Sequence, residues 1–136
     1  MNRIVSHAAV AALASIVTVL ALAQGQPAGL RQTELFKTTM DDVLGRVLSV
    51  RVLEREAGTG ALPHRHPGSH TVGYVLEGSY EVKVGDAPLR KLGPGETFYE
   101  APNALHAVSR NGSTTAKVKY LVIQVSDPTK PATVAE

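Results

Sequence analysis

Turn residues recur along this sequence at short, even intervals, and that rhythm limits what it can fold into. Between the turns lie short segments rich in Val, Ile, Leu and Tyr. TVGYVLEG ends at a glycine. SYEVKV alternates Tyr80, Val82 and Val84 against Glu81 and Lys83. Gly85-Asp86 is a hairpin signal, with APLRKL as the return strand. Pro94-Gly95, Pro102 and Asn111-Gly112 then separate ETFYEA, LHAVSR and AKVKYLVIQV. About seven to eight strands with a turn every 8–12 residues predict an all-β sandwich or small barrel in a single domain. No segment sustains a 3.6-residue period. At most, a helical turn is expected within RQTELFKTTMDDVL (residues 31–44). With 12 glycines, 8 prolines and no tryptophan, the core must rest on Val, Leu, Ile and Ala around a few Tyr and Phe.

The two ends read differently from the middle. Arg3 precedes an apolar stretch from about Ala8 to Leu22, and Ala21-Leu22-Ala23 is a small-x-small cleavage site. Residues 1–23 are therefore expected to be a Sec-type signal peptide cut after Ala23, which predicts a periplasmic or secreted protein. An uncleaved anchor is the rival reading, but the apolar run is short and alanine-rich. Membrane contact is expected only through this segment. Residues 24–42 read as an N-terminal lead-in, 43–126 as the barrel and 127–136 as a frayed polar tail.

Several functions are excluded by composition. The chain has no cysteine, so disulfides, thiolate metal sites and thiol catalysis are ruled out. Its formal net charge is +2, with acidic and basic residues interspersed and no basic run. Nucleic-acid binding has no support.

The histidines are the chemical signal. Of the five in the chain, His7 falls in the expected signal peptide. The others are His64, His66 and His70, within seven positions, and His106. His64 and His66 are two residues apart, so in extended backbone both imidazoles reach one side. For His70, strand parity decides. If the following strand starts there, His70, Val72, Tyr74 and Leu76 share a face, and its bulky apolar members mark it as the interior. His70 is then expected to point inward beside the first two. Imidazole suits Zn, Cu, Ni and Fe.

These residues carry a resemblance to a family. Gly58-x5-His64-x-His66, with a short strand ending at Gly78, resembles the first motif of the cupin superfamily, G-x5-H-x-H-x3–4-E-x6-G. Gly95 to Asn111 is similar to the second, G-x5-P-x-G-x2-H-x3-N, with His106 eleven positions after Gly95. Pro102 and Asn111 each fall one place late, and Asn103 stands where the second glycine belongs. The phrases HRHPG, YVLEG and PGETFYEAPN look like those of small single-domain bacterial cupins. The resemblance implies a double-stranded β-helix (a jelly roll) holding one divalent metal ion, with His64, His66 and His106 as ligands. The motif's glutamate is missing: its place falls on His70 or Thr71, depending on spacing. Parity favours His70, which predicts a site of four histidines, His64, His66, His70 and His106, for Zn, Cu, Ni or Fe.

The resemblance also implies a small-molecule substrate or ligand and a homodimer paired through its sheets. It leaves the reaction open between dioxygenase-like and isomerase-like chemistry, with a non-enzymatic metal- or ligand-binding envelope protein as the alternative. Catalytic candidates near the histidines are Tyr74, on His70's face, and Tyr99 and Glu100, just before the second motif's loop. Glu100 is a candidate general base or a partner to a ligand histidine. Its bland reading is a rim carboxylate, as Tyr74's is core packing.

Overall fold

The computed structural model describes residues 28–136. The expected signal peptide and its cleavage site lie outside the described residues.

Eleven strands form among the described residues, all paired antiparallel. They are β1 (Leu30–Thr39), β2 (Val47–Arg55), β3 (Gly60–Ala61), β4 (His64–Arg65), β5 (Ser69–Glu77) and β6 (Tyr80–Val84). After these come β7 (Arg90–Leu92), β8 (Thr97–Glu100), β9 (His106–Asn111), β10 (Val118–Ser126) and β11 (Val134–Ala135). One sheet runs β1-β2-β10-β5-β8. The other runs β11-β4-β9-β6-β7, with β3 also paired to β9. Two facing antiparallel sheets whose connections cross between them make an all-β jelly roll, the double-stranded β-helix that the resemblance implied and a form of the sandwich or small barrel predicted from the turn spacing.

The hydrophobic core joins the two inner faces. Tyr80 stacks on Phe98 at 5.2 Å and meets Tyr120 at 4.6 Å between ring centroids. Val75, Val82, Leu92, Val118 and Val122 are buried around them. Gly73 makes room for this cluster. It pairs with Phe98 in register, and a Cβ there would lie 2.0 Å from the Phe98 ring. The glycine in the middle of β5 is thus a packing requirement.

Both expected chain ends are corrected. Residues 30–39, read as lead-in with a helical turn, form an edge strand paired along its length with β2, from Leu30↔Arg55 to Thr39↔Val47. Most of β1 is solvent-exposed, so no alternation of apolar residues marked it; its threonines favour extended backbone and the β2 edge supplies the partner. The tail is not frayed either. Val134 and Ala135 pair with Arg65 and His64, and Arg65 holds Glu136 through two contacts of 2.7 and 2.9 Å.

The second motif's departures have local causes. Asn103 sits at φ 62°, a left-handed conformation that asparagine tolerates better than most residues. It therefore serves where the family pattern has glycine. Asn111 is buried and ties the barrel's closing loops together. Its amide donates to the carbonyls of Arg55, Glu56 and Ala116 at 2.8–3.2 Å, and its side-chain oxygen accepts from the Ser113 N–H.

Candidate metal centre

Strand pairing assembles the site. His64 on β4 and His106 on β9 are direct cross-strand partners, and such partners present their side chains on one face. His66, two residues on, keeps the side of His64. The three rings converge: His64 lies 4.9 Å from His66 and 5.0 Å from His106 between centroids. Each can offer one ring nitrogen, and these atoms lie within 4.8 Å of one another.

Hydrogen bonds set the tautomers. His64 Nδ1 lies 2.7 Å from the Leu62 carbonyl, and His66 Nδ1 lies 2.6 Å from the Ala132 carbonyl. A carbonyl only accepts, so each Nδ1 carries the proton and each Nε2 keeps a free lone pair. The C-terminal segment therefore orients a ligand histidine through Ala132. Burial lowers the His64 pKa, with its Leu62 bond partly opposing, which favours the neutral, ligating form.

His70 is not part of this group. It is exposed, on the outer face of β5, where Nδ1 bonds the Tyr99 hydroxyl at 2.7 Å. The inward residues are Ser69, Thr71, Gly73 and Val75. The parity expected from the sequence is inverted, and the four-histidine arrangement is corrected to three. The physical reason is that the inner face of β5 borders a cavity and an aromatic ring, so it carries small and polar residues, while the bulky ones cover the outside. Tyr74 and Tyr99 go with His70: they are 39 % and 52 % exposed on that outer face and stand apart from the histidines.

Glu100 belongs to the site. It pairs with Thr71 across β8 and β5 and is 3 % exposed, not a rim carboxylate. Its Oε2 lies 3.1 Å from His106 Nδ1 and 3.7 Å from His66 Nε2. Yet Glu100 Oε2 and both His106 ring nitrogens are buried without a hydrogen-bond partner among the described residues. The short Glu100–His106 approach lacks hydrogen-bond alignment. Buried polar atoms left this way call for a further partner. Ligands of one ion, each about 2.1 Å from it, sit roughly 3.0–3.5 Å apart; the carboxylate contacts of 3.1 and 3.7 Å are near that spacing, while the three histidine nitrogens are spread more widely, within 4.8 Å of one another. The three imidazoles fit a divalent transition-metal ion.

Beside the group is a cavity of about 590 Å³ inside the barrel. The histidines and Glu100 line it together with residues of β2 and β10, among them Arg51, Arg55 and Gln124. Arg51 turns inward. Its guanidinium bonds the side-chain oxygens of Gln32 and Gln124, and Gln124 donates to the Thr71 hydroxyl at 3.0 Å.

The Cupin domain family model matches residues 51–124, more than half of the chain, and the chain belongs to the cupin family. It is similar to several solved structures. The DMSP lyase DddQ from Ruegeria pomeroyi is 25 % identical, with 65 % of this chain and 42 % of that one covered at a TM-score of 0.55. A conserved protein with a double-stranded β-helix domain from Klebsiella pneumoniae is 16 % identical, with 83 % and 90 % covered at 0.62. Oxalate oxidase in complex with glycolate is 23 % identical, with 81 % and 56 % covered at 0.59. The chain thus spans less than half of the lyase and little more than half of the oxidase. No curated protein matches.

Proposed function

We propose that this chain is an exported, metal-dependent cupin enzyme that acts on a small organic molecule. The observation that carries the reading is the set of buried, unpartnered donors: Glu100 Oε2 and the His106 nitrogens, beside the free Nε2 atoms of His64 and His66. In this reading Glu100 is the fourth ligand. It takes the place of the motif glutamate, whose strand position is Thr71, from the neighbouring strand. An ion held there supplies Lewis acidity and open coordination positions for substrate or dioxygen. An N3O donor set keeps Fe, Ni, Zn and Cu in play and restores oxygen-favouring ions such as Mn. Oxidase and lyase neighbours support redox or elimination chemistry alongside the dioxygenase-like and isomerase-like possibilities.

The chain's own residues supply the surroundings. The Leu62 and Ala132 carbonyls hold His64 and His66 in their ligating tautomers. Phe98 packs 5.9 Å from the His106 ring and shields that side from water. Elemental analysis of the protein purified from its native compartment tests the reading. One equivalent of a transition metal is expected. His106→Ala should lower the affinity by about 100-fold or more while the fold survives. Absence of stoichiometric metal at neutral pH defeats the proposal.

One observation favours a second, non-enzymatic reading. Glu100 is the only carboxylate lining the cavity among the described residues; as a ligand it leaves no carboxylate there to act as a general base. A metal- or ligand-binding envelope protein would then hold the ion tightly and show no turnover on any substrate that binds. Export is tested by the mass of the chain recovered from the periplasm, expected to begin at Gln24. A homodimer is proposed through the outer face of the five-stranded sheet, where Val72, Tyr74 and Tyr99 are exposed beside the half-buried Val50, Leu121 and Ile123. Light scattering should give twice the chain mass.

A further inference from the structure

Across the cavity from the histidines lies a cation without a counter-charge among the described residues. Arg55, at the end of β2, lines the cavity and is only 2 % exposed. Its Nε and Nη1 have no hydrogen-bond partner. A guanidinium does not shed its proton in a protein, so burial cannot be relieved by neutralisation. An unpaired buried charge is costly, and what relieves it is an anion. Arg51, four residues earlier on the same face, differs. Its fork is taken up by Gln32 and Gln124, with only Nε unpartnered. Arg51 reads as part of the wall, and Arg55 as the group waiting for a ligand.

The cavity's other walls say what kind of anion. Leu30, Leu53, Leu62 and Val122 line it together with Phe98, so the ligand has an organic body as well as a charge. Its volume, about 590 Å³, suits a small molecule. Glu100 does not fill the role, because its free oxygen faces His66 and His106.

We propose that the cavity takes a small organic carboxylate, held by the Arg55 guanidinium from the sheet opposite the histidines. Each free N–H of the guanidinium can donate a charge-assisted hydrogen bond to a carboxylate oxygen. This rests on the metal-dependent reading for the acid's reaction, but the anion site itself stands on Arg55.

Calorimetric titration tests it, using the protein as purified with its metal content measured on the same sample. The probes are short mono- and dicarboxylic acids, the primary amides of the same acids, and inorganic phosphate. Acids should bind at least about 30-fold more tightly than their amides, the worth of a buried charge-assisted pair. Arg55→Met should erase that preference with metal content unchanged, and Arg55→Lys should restore part of it. Equal binding of acid and amide overturns the proposal, as does undiminished acid binding in Arg55→Met or phosphate binding as tight as the acids. Should Arg55→Met fail to fold, the acid–amide comparison in the chelated parent protein decides, since no ion is then present to prefer the acid. A chelated sample separates the two readings: acid binding that depends on Arg55 and survives metal removal upholds the carboxylate site, while the metal content of the purified sample decides the metal reading.

Discussion

The β5–β8 ladder has two faces that use similar residue types to opposite ends. On the outer face, His70 and Tyr99 bond each other at 2.7 Å in solvent. On the inner face, one position along each strand, Thr71 and Glu100 are buried, and Glu100 reaches two histidines without a hydrogen bond. Both faces hold a potential metal ligand next to a hydroxyl. The outer pair satisfies itself and needs nothing more. The inner carboxylate has an oxygen that nothing among the described residues satisfies. That difference, rather than residue type, marks the inner face as the chemical one.

The largest effect that would break this contrast comes from Glu100→Gln. The substitution keeps the shape and removes the charge. Metal affinity should fall by about 100-fold. In the metal-free protein the same change should leave the melting temperature level or raise it, since it removes a buried carboxylate with an unpaired oxygen. A metal titration and a thermal melt of the chelated protein read the two parts. Unchanged affinity would show that Glu100 is not a ligand, and the inner and outer pairs would then differ only in burial.

The next position on the inner face tests packing in place of charge. Gly73→Ala drives a Cβ to 2.0 Å from the Phe98 ring, and Phe98 is held in turn against Tyr80. The ring cannot yield cheaply. A loss of about 1–3 kcal/mol is expected, a drop of roughly 5–15 °C in melting temperature for a domain this size. A melt within about 2 °C of the parent would mean that the inner face is looser than its contacts imply.

How much of this was readable beforehand follows from the same ladder. The barrel was legible because its turns are local: Gly85 closes the β6–β7 hairpin where Gly85-Asp86 signalled one, at φ 53°. His64, His66 and His106 were legible as a ligand group from the motif spacing. The parity of β5 was not. Its outer residues Val72, Tyr74 and Leu76 are bulkier than its inner Thr71, Gly73 and Val75, because the inner side must leave space for a cavity and the Phe98 ring. Reading the bulkier face as interior turned His70 inward and hid Thr71. A usable signal for Glu100 did exist. Phe98 was readable as core, and a residue two positions later on the same strand shares its face. What outweighed it was the rule that carboxylates are exposed, and a metal site is where that rule fails. Arg55 carried no comparable signal, since only the folded sheet places it between Leu30 and Val118, both distant in sequence. The C-terminal segment was likewise illegible: only the folded barrel brings the Ala132 carbonyl to His66.

The smallest predicted effect tests the contrast from its quiet side. His70→Ala removes an imidazole that the sequence placed in the metal site and the structure places in solvent. One exposed hydrogen bond to Tyr99 is lost, worth at most about 1 kcal/mol. Metal stoichiometry should be unchanged and affinity should stay within about twofold, because none of the converging nitrogens belongs to His70. A metal titration beside His66→Ala, which should lose most of its binding, sets the scale. If the two variants lose metal equally, β5 presents its other face inward in solution, and the four-histidine arrangement returns. If only His66→Ala fails, the missing motif glutamate has to be sought among the inward residues, where Glu100 is the buried carboxylate facing the histidines.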